Sequence, residues 1–170
     1  MSIATIQDIR HSGMQSRGII LQLATEIESF MDVFIAEHFA ERLETIDEFV
    51  ILILTPAVNL KTKGEIFMYL LNKKARAFLE ERPILNKTEY LINKRNIFAH
   101  WPTDYTARGI DNFVNRKVVS YIKLKLHGKK KPTTEAVLND VYEEFTETKI
   151  NEVVKEFEEY HAAIQRLVLS

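Results

Sequence analysis

Residues 86–102 read NKTEYLINKRNIFAHWP, and the fold class follows from this stretch. Asn86 can accept from the free N–H groups at a helix start, Glu89 stands three positions later as in a capping box, and Leu85 with Tyr90 has the spacing of a hydrophobic staple. A residue before proline is steered away from helical torsions, so Pro102 sets the far end. The reading is a helix from 86 to about 100. At about 100° per residue, Tyr90, Leu91, Ile97, Phe98 and Trp101 share one arc and are expected in the core. Glu89, Asn93, Asn96 and His100 fall on the opposite arc with Arg95 at its edge, so the histidine lies off the apolar stripe.

Upstream, residues 62–81 predict another helix, with Ile66, Leu70, Ala77 and Phe78 inward, Lys63, Lys73, Lys74 and Arg76 outward, and Pro83 ending it. Residues 45–54 are apolar on most sides and stop before Pro56; a short buried helix is expected, with a strand as the alternative. Across 16–41, Ile20, Leu23, Ile27, Phe30, Met31 and Phe34 recur at three- and four-residue steps, the pattern of one buried helical face. Downstream of Pro102 a polar connection leads to 117–126. There Ile122, Leu124 and Leu126 alternate with Lys123 and Lys125, as in a strand. Gly128, the lysine run and Pro132 form a turn, so a small hairpin with a weakly marked second strand is expected. A last helix over 149–167 turns Ile150, Val153, Val154, Phe157, Tyr160, Ile164 and Leu167 inward. The class is all-α: a helical bundle in a single domain over 1–170, with a small β-hairpin inserted within the basic stretch 108–134 before the C-terminal helix.

Composition narrows the function classes. A chain of 170 residues that is 46% hydrophobic and 28% charged can enclose one core and lacks the bias of a disordered segment. Cysteine is absent, which removes disulfides, thiol nucleophiles and thiolate zinc sites and suits a reducing, cytoplasmic setting. The first residues lack a basic stretch leading into a long apolar run, so no secretory signal is expected. The most apolar window, 49–58, contains Pro56 and is far shorter than the roughly 20 residues that span a bilayer. Charge is uneven. Between 108 and 131 stand Arg108, Arg116, Lys117, Lys123, Lys125, Lys129, Lys130 and Lys131 against Asp111 alone, a net +7 that leaves −8 elsewhere in a chain of −1. Such a segment reads either as a phosphate-contacting surface, with Lys123, Lys125, Lys129, Lys130 and Lys131 as the candidates for nucleic-acid contact, or as a solvated turn facing an acidic helix.

The chemistry lies in the string Arg95-Asn96-Ile97-Phe98-Ala99-His100. A guanidinium holds phosphate oxygens through two parallel hydrogen bonds and neutralises charge developing on phosphorus. Imidazole titrates near neutrality and can take a proton from a ribose 2'-hydroxyl or give one to a leaving oxygen. That route uses neither metal nor cofactor. Five positions apart on one helix, Arg95 and His100 point about 140° from each other. A cleft shared by two copies relieves that geometry. The bland readings are that Arg95 pairs with an acidic neighbour such as Glu89 or Glu28 and that Asn96 steadies the helix end. His11, His38, His127 and His161 have no nearby ligand set and read as surface or structural, and Glu26 with Glu28 reads as a solvated face.

The string resembles the R-N-x-x-A-H form of the HEPN superfamily, and the order of helices from 16 to 167, including the Lys63 helix before the motif helix, is similar. Within that superfamily the chain looks nearest to mannitol-operon-repressor-like and uncharacterised prokaryotic members. The resemblance implies a homodimer formed through the motif helices and a metal-independent endoribonuclease with Arg95, Asn96 and His100 as catalytic residues. It also implies RNA as substrate, with an antitoxin or regulatory protein as a partner in toxin–antitoxin or phage defence. The alternative it carries is a non-catalytic regulatory or scaffold module. The basic segment departs from the minimal bundle of the superfamily.

Overall fold

The computed structural model describes residues 3–39, 50, 54, 57–73, 80–122 and 142–169. Their elements are α1 (Ile3–Phe39), α2 (Leu60–Lys73), α3 (Arg82–Leu85), α4 (Thr88–His100), α5 (Ala107–Arg116), β1 (Val118–Ile122), β2 (Tyr142–Thr146) and α6 (Glu147–Leu169). The fold is mostly α, with a two-stranded antiparallel hairpin before the C-terminal helix, as the sequence indicated, though its second strand, Tyr142–Thr146, lies beyond the 108–134 stretch in which the hairpin was expected. Two compact units are formed, one from 1–21 with 96–154 and the other from 22–95 with 155–170. Helices α1, α4 and α6 each contribute residues to both. Among the described residues no helix is long and apolar enough to cross a membrane.

In the unit 22–95 with 155–170, the core contains Ile27, Met31, Phe34, Phe67, Leu70, Leu71, Leu91, Phe157, Tyr160 and Ile164. Phe34 and Phe67 meet edge to face at 5.2 Å. Helix α2 approaches α4 closely because Gly64 has no side chain: a Cβ there would lie 2.6 Å from Ile92 Cδ1 and 3.1 Å from Thr88 Cγ2. Thr88, buried at the start of α4, donates to the Leu85 carbonyl at 2.6 Å; its hydrogen is thereby committed, so the Tyr160 hydroxyl, also at 2.6 Å, donates to Thr88 Oγ1. Burial pushes the Tyr160 phenol well above its ordinary range.

In the unit 1–21 with 96–154, Phe98, Tyr121 and Phe145 pack ring against ring at 4.9 to 5.7 Å. The hairpin pairs Val119 with Phe145 and Ser120 with Glu144. Helix α5 occupies what the sequence suggested was a polar connection. Its apolar residues Ile110, Phe113 and Val114 stand at helical spacing, and at its start Asp104 Oδ1 accepts from the Thr106 N–H at 2.9 Å while Thr106, extended at the N-cap, accepts from Gly109 N. Gly109 is required, since a Cβ would run into the Asp104 carbonyl. Lys117, in the left-handed region at φ 52°, turns the chain from α5 into β1 within one residue.

Several expectations are corrected. Tyr90 is exposed rather than inward, because the buried arc of the first turns of α4 runs through Thr88, Leu91 and Ile92, and Trp101 is half-buried. Asn86 does not start α4 as an extended cap; at φ −63° and ψ −13° it closes α3. Lys63 is 1% exposed instead of outward, and the inner face of α2 is Lys63, Phe67, Leu70 and Leu71, with Ile66 only half-buried. Helix α1 begins far upstream of residue 16, its buried stripe continuing through Ile9, Gly13 and Ser16, two of which are too small to register as apolar signals. The expectation for 45–54 lies almost wholly outside the described residues, as do Ala77 and Phe78 and the turn at 128–132.

Candidate functional site

Helix α4 carries all three motif residues. Arg95 is half-buried and lines a pocket with Ala24, Ile27 and Met31 of α1, Leu60 of α2 and Phe157 and Tyr160 of α6. Asn96 is half-buried and His100, the last residue of α4, is exposed. Four positions apart, Asn96 and His100 share one face of the helix, which continues through exposed Glu89 and Asn93. Arg95 belongs to a different face, about 140° from His100 for an ideal helix. One copy of α4 therefore does not turn the arginine and the histidine toward the same point.

The end of α4 is held on several sides. The Trp101 N–H continues the helical ladder to the Ile97 carbonyl at 3.0 Å, and an Arg17 guanidinium N–H from α1 donates to the Trp101 carbonyl. Past the helix, the Ile122 N–H donates to Pro102 O at 2.9 Å, the Asp104 N–H donates to Ser120 O at 2.8 Å, and Thr103 bridges to Tyr121. The chain that leaves His100 thus runs directly onto β1.

Of the eight basic residues between 108 and 131, three are described. Arg108 and Arg116 pair with Glu144 at 3.3 and 3.2 Å, and Lys117 lies over the Phe113 ring at 5.4 Å. Glu144 also accepts from Asn112 Nδ2 at 2.9 Å. The two arginines are therefore partly neutralised within the fold. Lys123, Lys125, Lys129, Lys130 and Lys131 lie outside the described residues. His161 sits 3.2 Å from Glu26 and edge-on to Phe30, a structural arrangement.

Sequence reasoning missed a buried charged cluster. Lys63 Nζ donates to Glu28 and to Asp32, each at 2.8 Å. Asp32 is 4% exposed, and its second oxygen, Oδ1, makes no hydrogen bond among the described residues. Burial raises the Asp32 carboxyl above its usual range, and the bond and charge of Lys63 only partly offset this. For Lys63, burial works against the charge, but its bonds and attraction to Asp32 and Glu28 outweigh it and raise the ammonium. The available signal was the Glu28–Asp32 spacing of four within the apolar stripe of α1, which sets two carboxylates on one inward face. Among the described residues no group of three or more His, Asp or Glu side chains is placed to hold a metal ion.

Comparison with protein-family models, with curated proteins and with solved structures gives no match.

Proposed function

We propose that the chain is a HEPN-type domain acting in the cytoplasm as a homodimeric, metal-independent endoribonuclease. The observation that carries this reading is the Arg95-Asn96-x-x-Ala99-His100 string at the end of α4 with His100 exposed. In the dimer the two motif helices meet, and Arg95 of one copy completes the cleft opened by His100 of the other. His100 takes the proton from a ribose 2'-hydroxyl as that oxygen attacks phosphorus. The partner's His100 protonates the departing 5'-oxygen, leaving a 2',3'-cyclic phosphate. Arg95 neutralises the charge gathering on the phosphoryl oxygens, and Asn96 orients the phosphate. Lys123, Lys125 and Lys129 to Lys131 supply sequence-independent phosphate contact. An antitoxin or regulatory protein is the expected partner in a toxin–antitoxin or phage-defence setting.

One observation favours a second reading. Arg95 shares its pocket with apolar side chains, which suits a helix kept for packing in a regulatory or scaffold module similar to the mannitol operon repressor.

The test is cleavage of defined RNA by the purified chain in chelator, with product ends identified and Arg95→Lys beside the parent. Cyclic phosphate ends, together with impaired turnover in a variant that keeps charge but loses the two-donor fork, support the enzyme. A requirement for magnesium, or an Arg95→Lys variant equal to the parent, moves the assignment to the regulatory module.

A further inference from the structure

The geometry points to Arg17 as the positioning residue for His100, a role that rests on the ribonuclease reading. The last carbonyls of a helix have no partner within it, and the helix end carries partial negative charge. At the end of α4 this is answered by a side chain from far away in sequence. Arg17 of α1 donates from Nη2 to the carbonyl of Trp101, the residue that follows His100. Its guanidinium carbon stands 5.1 Å from the centre of the Tyr121 ring, and that ring is fully buried against Phe98 and Phe145. Gly13, one turn earlier on α1, leaves the room: a Cβ there would meet Thr103 Oγ1 at 3.3 Å and Tyr121 Oη at 3.8 Å.

Arg17 therefore clamps the last turn of α4 against the aromatic cluster while β1 holds the residues just beyond it. The buried Arg17 Nε has no hydrogen-bond partner among the described residues, so the guanidinium is kept in place by the Trp101 carbonyl and the Tyr121 face. His100 itself is exposed, and the direction of its Cα–Cβ bond follows the backbone that Arg17 anchors. Lysine in place of Arg17 keeps the charge but loses the planar group that satisfies both neighbours at once.

The experiment compares the parent, Arg17→Gln, Arg17→Lys and Arg10→Gln, the last an exposed arginine on the same helix serving as control. Two readouts are taken: kcat and KM for RNA cleavage in chelator, and amide hydrogen exchange resolved over 97–101. The expected result is a fall in kcat of about 10-fold to 10²-fold in Arg17→Gln, a smaller fall in Arg17→Lys, and KM within about twofold, since a displaced reacting group slows turnover without removing binding. Exchange should rise at 97–101 in both Arg17 variants and stay at the parent's level in Arg10→Gln. Unchanged kcat and unchanged exchange overturn the proposal. So does exchange that rises throughout both Arg17 variants, which would make Arg17 a residue of general stability. If His100→Ala also cleaves at the parent's rate, the ribonuclease reading falls alone, and the exchange arm still decides whether Arg17 holds the end of α4.

Discussion

Replacing Lys63 with Met tests the energetics of the buried cluster. The variant keeps the length and apolar stem of the side chain but removes the ammonium that two carboxylates share at 2.8 Å. Glu28 keeps about a quarter of its side-chain exposure, so water can take over its charge, whereas the Asp32 side chain at 6% exposure is left without a counter-ion. Breaking a buried pair in this way costs about 3–5 kcal/mol. The lower figure applies here, because Asp32 already holds its proton more readily than a free aspartate and can neutralise itself. The sign with pH follows. With its folded-state carboxyl raised, Asp32 favours the fold below the unfolded value of 3.8 and loses that contribution as pH rises through the raised value. Without Lys63 the raised value climbs further, so the difference between variant and parent should be about 3 kcal/mol near pH 7.5 and smaller near pH 4. Urea unfolding followed by far-ultraviolet circular dichroism at both pH values measures this, and in a chain of this length Tm near neutrality should drop by about 6–12 °C. Lys63→Met with Asp32→Asn should recover more than half of the loss. A loss below about 1 kcal/mol at neutral pH, or one equal at both pH values, refutes the reasoning.

Gly64→Ala should destabilise by about 1–3 kcal/mol in the same assay, because the added methyl meets Ile92 at 2.6 Å and the strain outweighs the gain of up to about 1 kcal/mol in helix propensity. Thr88→Val should cost about 1–3 kcal/mol by leaving the Leu85 carbonyl and the buried Tyr160 hydroxyl short of their shared partner, and the loss should persist from pH 5 to 9 since neither group titrates there. In the parent, the contribution of Lys63 is present below its ordinary value of 10.5 and should disappear as pH rises through the raised one, visible as a fall in urea midpoint under alkaline conditions that Lys63→Met does not show.

The long periodic elements were legible because burial follows spacing. In α6, Ile150, Val153, Phe157, Tyr160, Ile164 and Leu167 are all buried as their three- and four-residue steps require. Such reading counts apolar residues, and it failed where the core contains something else. Lys63 falls on the same stripe as Phe67 and Leu70 but was sent outward for its charge, although Glu28 and Asp32 on α1 supply what allows it inside. Helix α5 was missed although Ile110, Phe113 and Val114 stand at helical spacing; its buried positions are Gly109 and Asn112, and its start is an Asp104–Thr106–Gly109 arrangement, none of which registers as an apolar signal. At the candidate site, the exposed side of α4 with Glu89, Asn93 and His100 was readable from angle alone. The hold of Arg17 on the helix end was not, because it joins positions 84 residues apart.

The central proposal is an RNA-cleaving site with His100 as its proton carrier. Its most direct test is the cleavage rate of total RNA in chelator by the parent and by His100→Ala, with RNA binding measured alongside. The account predicts a fall of about 10²-fold to 10⁴-fold in rate with binding retained. Cleavage by His100→Ala at the parent's rate, or none by either protein, contradicts it.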